Sequence, residues 1–456
     1  MSLRQFNKIF FIGIAGSGMS AIAQYLKGSG KEVSGSDRYF VKGKTDDTRM
    51  KLEACGIICY EQDCSGITED IDLVVVSAAI ESTVPEVQKA QELNIPIMKR
   101  SELLSLIASE RKTIAIGGTS GKSTTSAMLF QIMQYAGYEP GIISGAGLVS
   151  LIKEGRIGNA EVGDGKWLII EADESDGSIV LYKPEMGVLL NIDKDHQEVD
   201  ELVDIFTIFR HNTKGIFIVN SDNVFTKVLS QKSSHDFSSV HTSGAGYIAE
   251  NFKQDKLSVS FTVNKVLFRL NTIGKHNMEN VLAAVAAAHQ NEISLEICAE
   301  ALISYEGIYR RHQVLGEKEG VIVIDDYAHN PAKCAASISA CQPLAPKVIA
   351  WFQPHGYTPT RFLKNEFISQ IAEVLRPDDE IWMSEIFYAG GSAVKDISAK
   401  DLTDGITALG KKAIFIEDRD KFLEAVRPHL NTCVLLLMGA RDPSLEGFSK
   451  KIYQNL

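Results

Sequence analysis

Residues 113–133 constrain this chain more than any other stretch. A short apolar run, Thr113 to Ile116, enters Gly117-Gly118-Thr119-Ser120-Gly121-Lys122-Ser123. Helix-forming residues follow at once, Ser126-Ala127-Met128-Leu129-Phe130-Gln131-Ile132-Met133. Strand, glycine turn, Lys-Ser and helix in that order predict a loop that cradles phosphates: backbone N–H groups turn toward an anion, and the helix N-terminus adds partial positive charge. Lys122 is placed to reach terminal phosphates and the Ser123 hydroxyl to bind Mg²⁺. The strict G-x-x-x-x-G-K-[ST] pattern asks for glycine where Ile116 stands, so the loop is a variant one residue shorter.

Composition narrows what can surround that loop. At 456 residues, with 45% apolar and 23% charged residues, the chain reads as roughly two to four globular α/β domains. A net charge of −11 argues against a protein that tracks nucleic-acid phosphates, though not against a local basic pocket. No apolar run is long enough to span a bilayer. The apolar start passes into a glycine turn without a cleavage site, so it predicts a first strand and not a signal peptide. Seven scattered cysteines, with no metal-ligand spacing, predict a reducing cytoplasm.

Three blocks follow along the chain. In the first, residues 1–109, a strand at 8–14 meets Gly16-Ser17-Gly18-Met19-Ser20-Ala21 and a helix. A second strand at 32–36 ends at Asp37, and the run 73–77 ends at Ser77. Strands alternating with helices predict a parallel sheet, Rossmann-like in pattern. Gly16-x-Gly18-x-x-Ala21 with an acid about twenty residues on also matches the dinucleotide fingerprint. Taken alone it suggests NAD and an oxidoreductase, but the same turn holds any diphosphate, and Asp37 suits the sugar or base of any nucleotide.

The second block, 110–313, opens with the phosphate loop. A buried strand then delivers Glu171, Asp173, Glu174 and Asp176, and another ends in Asn191-Ile-Asp193-Lys-Asp195-His196. Acids at strand ends beside a phosphate loop are where Mg²⁺ would find oxygen ligands. His276, Asn277 and Asn280 open a strongly helical run, where Asn277 fits a helix N-cap as well as a ligand contact. In the third block, 314–456, four strands end in polar clusters: Asp325-Asp326-Tyr327-Ala328-His329-Asn330, Gln353-Pro-His355-Gly356-Tyr357-Thr358-Pro359-Thr360-Arg361, Glu385 to Gly391, and Gly439 to Asp442. They predict a second open, Rossmann-like sheet with one chemically dense edge. Residues 237–247 read as a surface loop or β connection.

Together these motifs resemble the Mur ligases, ATP-dependent amide-forming enzymes of peptidoglycan assembly. The resemblance runs through GIAGSGMS with SGSD, VVVSAAI, GGTSGKSTT, EADESDGS, NIDKDH, GKHNMEN, YEGIYRRH, DDYAHNP, FQPHGYTPTR and YAGG, in the family's order over nearly the whole chain. It implies three domains: an N-terminal UDP-sugar-binding domain, a central P-loop ATPase domain and a C-terminal α/β domain. UDP-N-acetylmuramate would lie on Gly16, Ser17, Gly18, Met19 and Ser20, with Asp37 and Ser77 nearby. ATP would meet Gly118, Thr119, Gly121, Lys122, Ser123, Thr124, His276, Asn277, Asn280, Arg310 and Asp326. Mg²⁺ would be held by Ser123, Glu171 and His196. Lys122, Arg311 and His329 would act in catalysis, His329 as an imidazole titrating near neutral pH, with Tyr327, His329 and Arg361 on the amino-acid side.

The resemblance further implies a cytoplasmic monomer or weak homodimer that engages neither membrane nor nucleic acid. L-alanine is the first candidate acceptor; a preformed peptide, or a binding protein of weakened catalysis, is the alternative. The family's phosphate loop has His or Asn where Ser120 stands, arginines where Gly356 and Pro359 stand, and a second histidine where Asn330 stands.

Overall fold

A computed structural model describes residues 2–41, 46–77, 80–194, 198–241, 244–388 and 394–456. The chain divides into two compact units. The first comprises Met1–Glu250, Thr262–Phe268 and Glu279–Ile308; the second comprises Asn251–Phe261, Arg269–Met278 and Tyr309–Leu456. The sheets of the first two sequence blocks both lie in the first unit.

In the first unit, β1 (Lys8–Ile12), β2 (Glu32–Asp37), β3 (Ile58–Glu61), β4 (Leu73–Val76) and β5 (Ile97–Lys99) form a sheet in the order β3-β2-β1-β4-β5. All its pairs are parallel. The strand order reverses beside β1, so the loops after β1 and β4 flank a topological switch point at the carboxyl edge. The sequence predicts β1 through residue 14; it stops at Ile12 because Gly13 takes φ +82°. Helix α1 (Ser17–Gly28) follows.

The unit's second sheet runs β11-β10-β6-β9-β7-β8, built from β6 (Lys112–Gly117), β7 (Gly141–Ile143), β8 (Ala160–Glu161), β9 (Trp167–Glu171), β10 (Met186–Leu189) and β11 (Ile216–Val219). Only β8 is antiparallel to its neighbour among the described strands. Its central strands are buried over residues 113–117, 167–170 and 186–189, as a sheet covered on both faces requires. Helix α2 (Lys122–Tyr135) leaves β6 through the glycine loop.

Residues 237–270 carry β12 (Phe237–Ser238), β13 (Tyr247–Asp255), β14 (Ser258–Val263) and β15 (Val266–Leu270). The loop predicted at 237–247 is thus bounded by strands. Helix α3 spans Lys275–His289.

In the second unit β16 (Gln313–Lys318), β17 (Val321–Asp326), β18 (Lys347–Gln353), β19 (Glu380–Met383), β20 (Lys412–Phe415) and β21 (Cys433–Gly439) form a sheet ordered β16-β17-β21-β18-β19-β20, parallel except for β16. The carboxyl ends of β17, β21 and β18 lie side by side, which brings three of the sequence's polar clusters to one edge. Helices α4 (Pro331–Cys341) and α5 (Tyr357–Phe362) start from that edge.

Candidate active site

The phosphate loop is shaped by two left-handed glycines. Gly118 has φ +132° and Gly121, which caps α2, has φ +89°. A Cβ on Gly121 would collide with Asn280 Oδ1, so the loop closes tightly against α3 at this point. Asn280 Oδ1 also accepts from the Thr125 hydroxyl at 3.3 Å. Asn280, expected to line an adenine pocket, therefore packs against the loop backbone. Thr124 is half-buried in the first turn of α2.

Asn191, just beyond β10, holds the loop from the other side. Its Oδ1 accepts from Ser120 N (2.8 Å) and the Thr119 hydroxyl (2.9 Å), and its Nδ2 donates to Ser120 O (3.1 Å). The backbone at Ser120 is thus fixed without help from its side chain. The NIDKDH motif signalled this strand end, but its acids drew attention away from Asn191.

Lys122 curls back so that Nζ donates to Gly118 O (2.7 Å) and Glu174 Oε2 (2.6 Å). Asp173 lies at 3.9 Å. Burial opposes the charged ammonium, yet Glu174 and Asp173 outweigh it and raise the Lys122 pKa above its ordinary value. Burial likewise opposes ionisation of Asp173, which Lys122 and Ser175 overcome, so this carboxyl is lowered.

The Ser123 hydroxyl donates to Glu171 Oε2 at 3.0 Å. Glu171 Oε1 accepts from the Ser144 hydroxyl and from Gly145 N at 2.7 Å. A hydroxyl and a carboxylate beside a phosphate loop are the hard oxygen donors that Mg²⁺ takes together with substrate phosphates. Among the described residues no three His, Cys, Asp or Glu side chains converge on one point. His196, the third expected ligand, lies outside the described residues.

The turn after β1 also differs from its reading. The left-handed glycine is Gly13, whereas Gly16 is extended (φ −60°, ψ 138°) and caps α1. Gly16 and Ser17 are exposed, but Met19 and Ser20 are 2% and 1% exposed. Their side chains belong to the core, and only the first-turn backbone faces outward. Asp37 is also internal at 5% exposure: its carboxylate accepts from Ala15 N (3.0 Å) and Tyr39 N (3.1 Å) and so holds the turn. Ser77 follows β4, on the same edge. Arg100, opening the helix after β5, was missed: its Nη1 lies 3.1 Å from where a Gly18 Cβ would stand, and its Nη2 lies 3.4 Å from Asp176 Oδ2. The absent Cβ of Gly18 makes room for this guanidinium at the mouth of α1.

In the second unit the two adjacent arginines separate. Arg310 sits at φ +53° and its guanidinium is buried, with Nε 3.0 Å from Asp325 Oδ2, Nη2 3.2 Å from Asp325 Oδ1 and 3.1 Å from Gly439 O. Its guanidinium is thus engaged by Asp325 and Gly439 O, as Lys122 is by Glu174 and Gly118 O. Arg311 stacks on the Tyr327 ring at 4.9 Å and remains the candidate for anion contact.

Asp326, expected at the ATP ribose, is 4% exposed; it accepts from the Ser337 hydroxyl (2.7 Å), His312 N (3.2 Å) and Tyr327 N (2.9 Å). Burial opposes its ionisation, but His312 and Arg311 prevail and lower its pKa. The His276 ring lies 4.9 Å from that of His312, and burial, then the neighbouring imidazole, push its pKa down to about 3. Asn277 spends its amide on Ile273 O and Thr272 Oγ1, both at 2.8 Å, so it clamps the turn into α3 and is not free for adenine.

His329 is held by a contact between Nδ1 and Tyr327 O at 2.9 Å. Burial, then Lys333, push its pKa well below the ordinary 6.5, so the near-neutral titration read from sequence is corrected: the imidazole is neutral at pH 7. With Nδ1 donating to the carbonyl, Nε2 carries the available lone pair. Asn330, in place of the family's second histidine, caps α4 by accepting from Lys333 N at 2.9 Å. Arg361 is an exposed side chain whose Nε meets Asp396 Oδ1 at 2.8 Å and whose Nη2 meets Val394 O at 3.0 Å. Gly356 has φ +74° and caps α5, so its glycine exists for the backbone.

Three family models match the chain in order: the Mur ligase family catalytic domain over residues 8–112, the Mur ligase middle domain over 116–288, and the Mur ligase glutamate ligase domain over 310–441. A UDP-N-acetylmuramate–L-alanine ligase of Carboxydothermus hydrogenoformans is 32% identical, covering 98% of this chain and 96% of that protein. One from Lawsonia intracellularis is 33% identical over 95% and 96%. Among solved structures, a UDP-N-acetylmuramate-alanine ligase from Thermotoga maritima shares the fold with TM-score 0.79 at 24% identity, covering 98% of each chain. A murein peptide ligase from Psychrobacter arcticus does so with TM-score 0.70 at 20% identity, also over 98% of each.

Proposed function

The chain belongs to the Mur ligase family, and on that premise we propose that it joins the carboxylate of UDP-N-acetylmuramate to the amino group of L-alanine with consumption of ATP. The observation that supports this reading is the pair Lys122 and Ser123 on the phosphate loop, set against Glu174 and the β9-terminal Glu171. We keep three functional domains, 1–109, 110–313 and 314–456, for UDP-sugar, ATP and acceptor, in an enzyme of the cytoplasm. Among the described residues no helix is long and apolar enough to cross a membrane.

A carboxylate is a poor acyl donor. Its oxygen takes the γ-phosphoryl group of ATP, ADP departs, and the acyl phosphate has a good leaving group. The amine nitrogen then attacks the acyl carbon, inorganic phosphate leaves and the nitrogen loses a proton. Lys122 stabilises the charge on the transferring phosphoryl group from the mouth of α2, and Arg311 adds a second cation. Ser123 and Glu171 would hold Mg²⁺, which would supply neutralisation of phosphate charge. His329, neutral and oriented through Nδ1, takes the amine proton at Nε2. The loop backbone, pinned by Asn191 and Asn280, presents its N–H groups without reorganisation.

The commitment of Arg361 to Asp396 favours testing a second acceptor, a preformed peptide, because no arginine at 356 or 359 stands ready for a free amino-acid carboxylate. ADP formation is measured with ATP, Mg²⁺, UDP-N-acetylmuramate and, separately, L-alanine, L-serine, glycine and a tripeptide. L-alanine should support turnover, and Lys122→Ala should lower it on the order of 10²-fold or more while leaving the fold intact. Turnover with the tripeptide alone would move the acceptor; turnover with none would leave a binding protein.

A further inference from the structure

The first turn of α1 and the carboxylate of Glu171 are joined by an unbroken chain of buried hydrogen bonds through Asn159, a residue that no motif contains. Asn159 precedes β8 and is 2% exposed. Its Nδ2 donates to Ser17 O (2.8 Å) and Ser20 Oγ (3.0 Å), and its Oδ1 accepts from Gln24 Nε2 (2.7 Å). Gln24 Nε2 also donates to Ser20 O at 2.9 Å. The Asn159 carbonyl accepts from Ser144 N at 2.9 Å. The Ser144 hydroxyl donates to Glu171, whose other oxygen accepts from Ser123 on the phosphate loop. Ser20, Gln24, Ser123 and Ser144 are all buried.

Only a carboxamide fills this position: an aspartate lacks both donors, and an aliphatic side chain lacks the acceptor as well. Elsewhere α1 runs close along the same edge, where a Cβ on Gly28 would come within 2.7 Å of Val162. If the first turn of α1 moves, Ser17 O and Ser20 Oγ move with it. The amide must follow or leave buried groups unpaired, which costs more than the shift. The Asn159 backbone then carries Ser144, and Ser144 carries Glu171.

We propose that Asn159 is a positioning residue that couples the sugar-nucleotide turn to the Mg²⁺-ATP loop, so that occupancy of one favours occupancy of the other. This deepens the functional reading above and rests on it. Asn159 itself touches neither substrate.

The test measures the dissociation constant of a non-hydrolysable ATP analogue with Mg²⁺ on the full chain, with and without saturating UDP-N-acetylmuramate. Wild type should bind the analogue about fivefold or more tightly when the sugar nucleotide is present, and the sugar nucleotide should gain the same factor from the analogue. Asn159→Asp, which keeps the acceptor and loses the donors, should bring that ratio to within about twofold of one. Ser144→Ala breaks the chain at its other end and should do the same; it decides the matter if Asn159→Asp does not fold. General destabilisation does not change the ratio, because both constants come from the folded variant. Wild type binding both ligands without mutual effect, or variants that keep the wild-type ratio, would overturn the coupling and leave the functional reading standing. Failure of wild type to bind UDP-N-acetylmuramate would overturn both.

Discussion

Arg310 is expected to stabilise the C-terminal unit through its buried pairing with Asp325, and the strength of that pairing makes the effect measurable. Arg310→Met removes the guanidinium but keeps most of the volume. It leaves Asp325, 2% exposed, as a buried carboxylate without its cation, and Gly439 O without its donor. Removing one partner of a buried pair costs about 3–5 kcal/mol. For a unit of roughly 170 residues each kcal/mol moves the melting temperature by about 2–4 °C, so the expected fall is about 6–20 °C. Burial already raises the Asp325 carboxyl, with Arg310 opposing it. Without Arg310 the raised pKa makes the folded variant bind a proton that the unfolded chain releases above about pH 3.9. The variant's deficit should therefore grow as pH rises and shrink toward acid. Arg310→Met/Asp325→Leu should recover most of the loss, since well-packed apolar replacements of a buried pair are often neutral. Calorimetry on the two single variants and the double variant closes the cycle. A melting temperature within a degree or so of wild type, with a rise in the Michaelis constant for ATP, would refute the structural assignment.

Three further outcomes follow from the geometry. Glu171→Ala should raise the Mg²⁺ concentration for half-maximal activity about tenfold, through loss of a carboxylate beside Ser123, and an unchanged titration would make Glu171 merely structural. His276, with its folded pKa near 3 against an ordinary 6.5, contributes stability that is complete above pH 6.5 and is lost on acidification; urea unfolding of wild type should lose up to about 1.4 kcal/mol per pH unit below 6.5 more than His276→Phe does, and parallel profiles would exclude this. Gly356→Ala should cost about 1–3 kcal/mol from its φ of +74° and the approach to Pro359, and Gly356→Arg should destabilise α5 without tightening L-alanine binding; an unchanged melting temperature would show the backbone there to be tolerant.

What the sequence disclosed was the edge chemistry. In a parallel sheet the carboxyl ends of strands share one side, so polar residues that close apolar runs could be placed on one edge from sequence: Glu171 ending β9, Asp326 ending β17, Ser77 following β4. The commitments of individual side chains were not legible. Arg310 and Arg311 are the same residue type side by side, and only the left-handed backbone at 310 and the position of Asp325 turn one inward. Asp37, Asp326 and Asn277 look like ligand contacts because short polar groups at turns serve either a ligand or the backbone, and here the backbone holds all three. Asn159 and Ser144 carry no local signal, since their partners stand well away in sequence. The alternating burial of β14 is legible in its own period of two, Ser258-Val259-Ser260-Phe261-Thr262-Val263.

The division of the chain bears on how its parts can be prepared. The second unit draws Asn251–Phe261 and Arg269–Met278 from ahead of the point where its main segment begins at Tyr309. A truncated gene beginning at 309, or at the boundary of 314 suggested by sequence, would encode a sheet stripped of those two upstream pieces. The reciprocal fragment ending at 308 would carry them as orphans. Proteolysis at any one crossing leaves at least one product that carries residues of both units. Isolated C-terminal fragments should accordingly express poorly, whereas co-expressed halves split within the exposed tip of a single surface loop should reassemble.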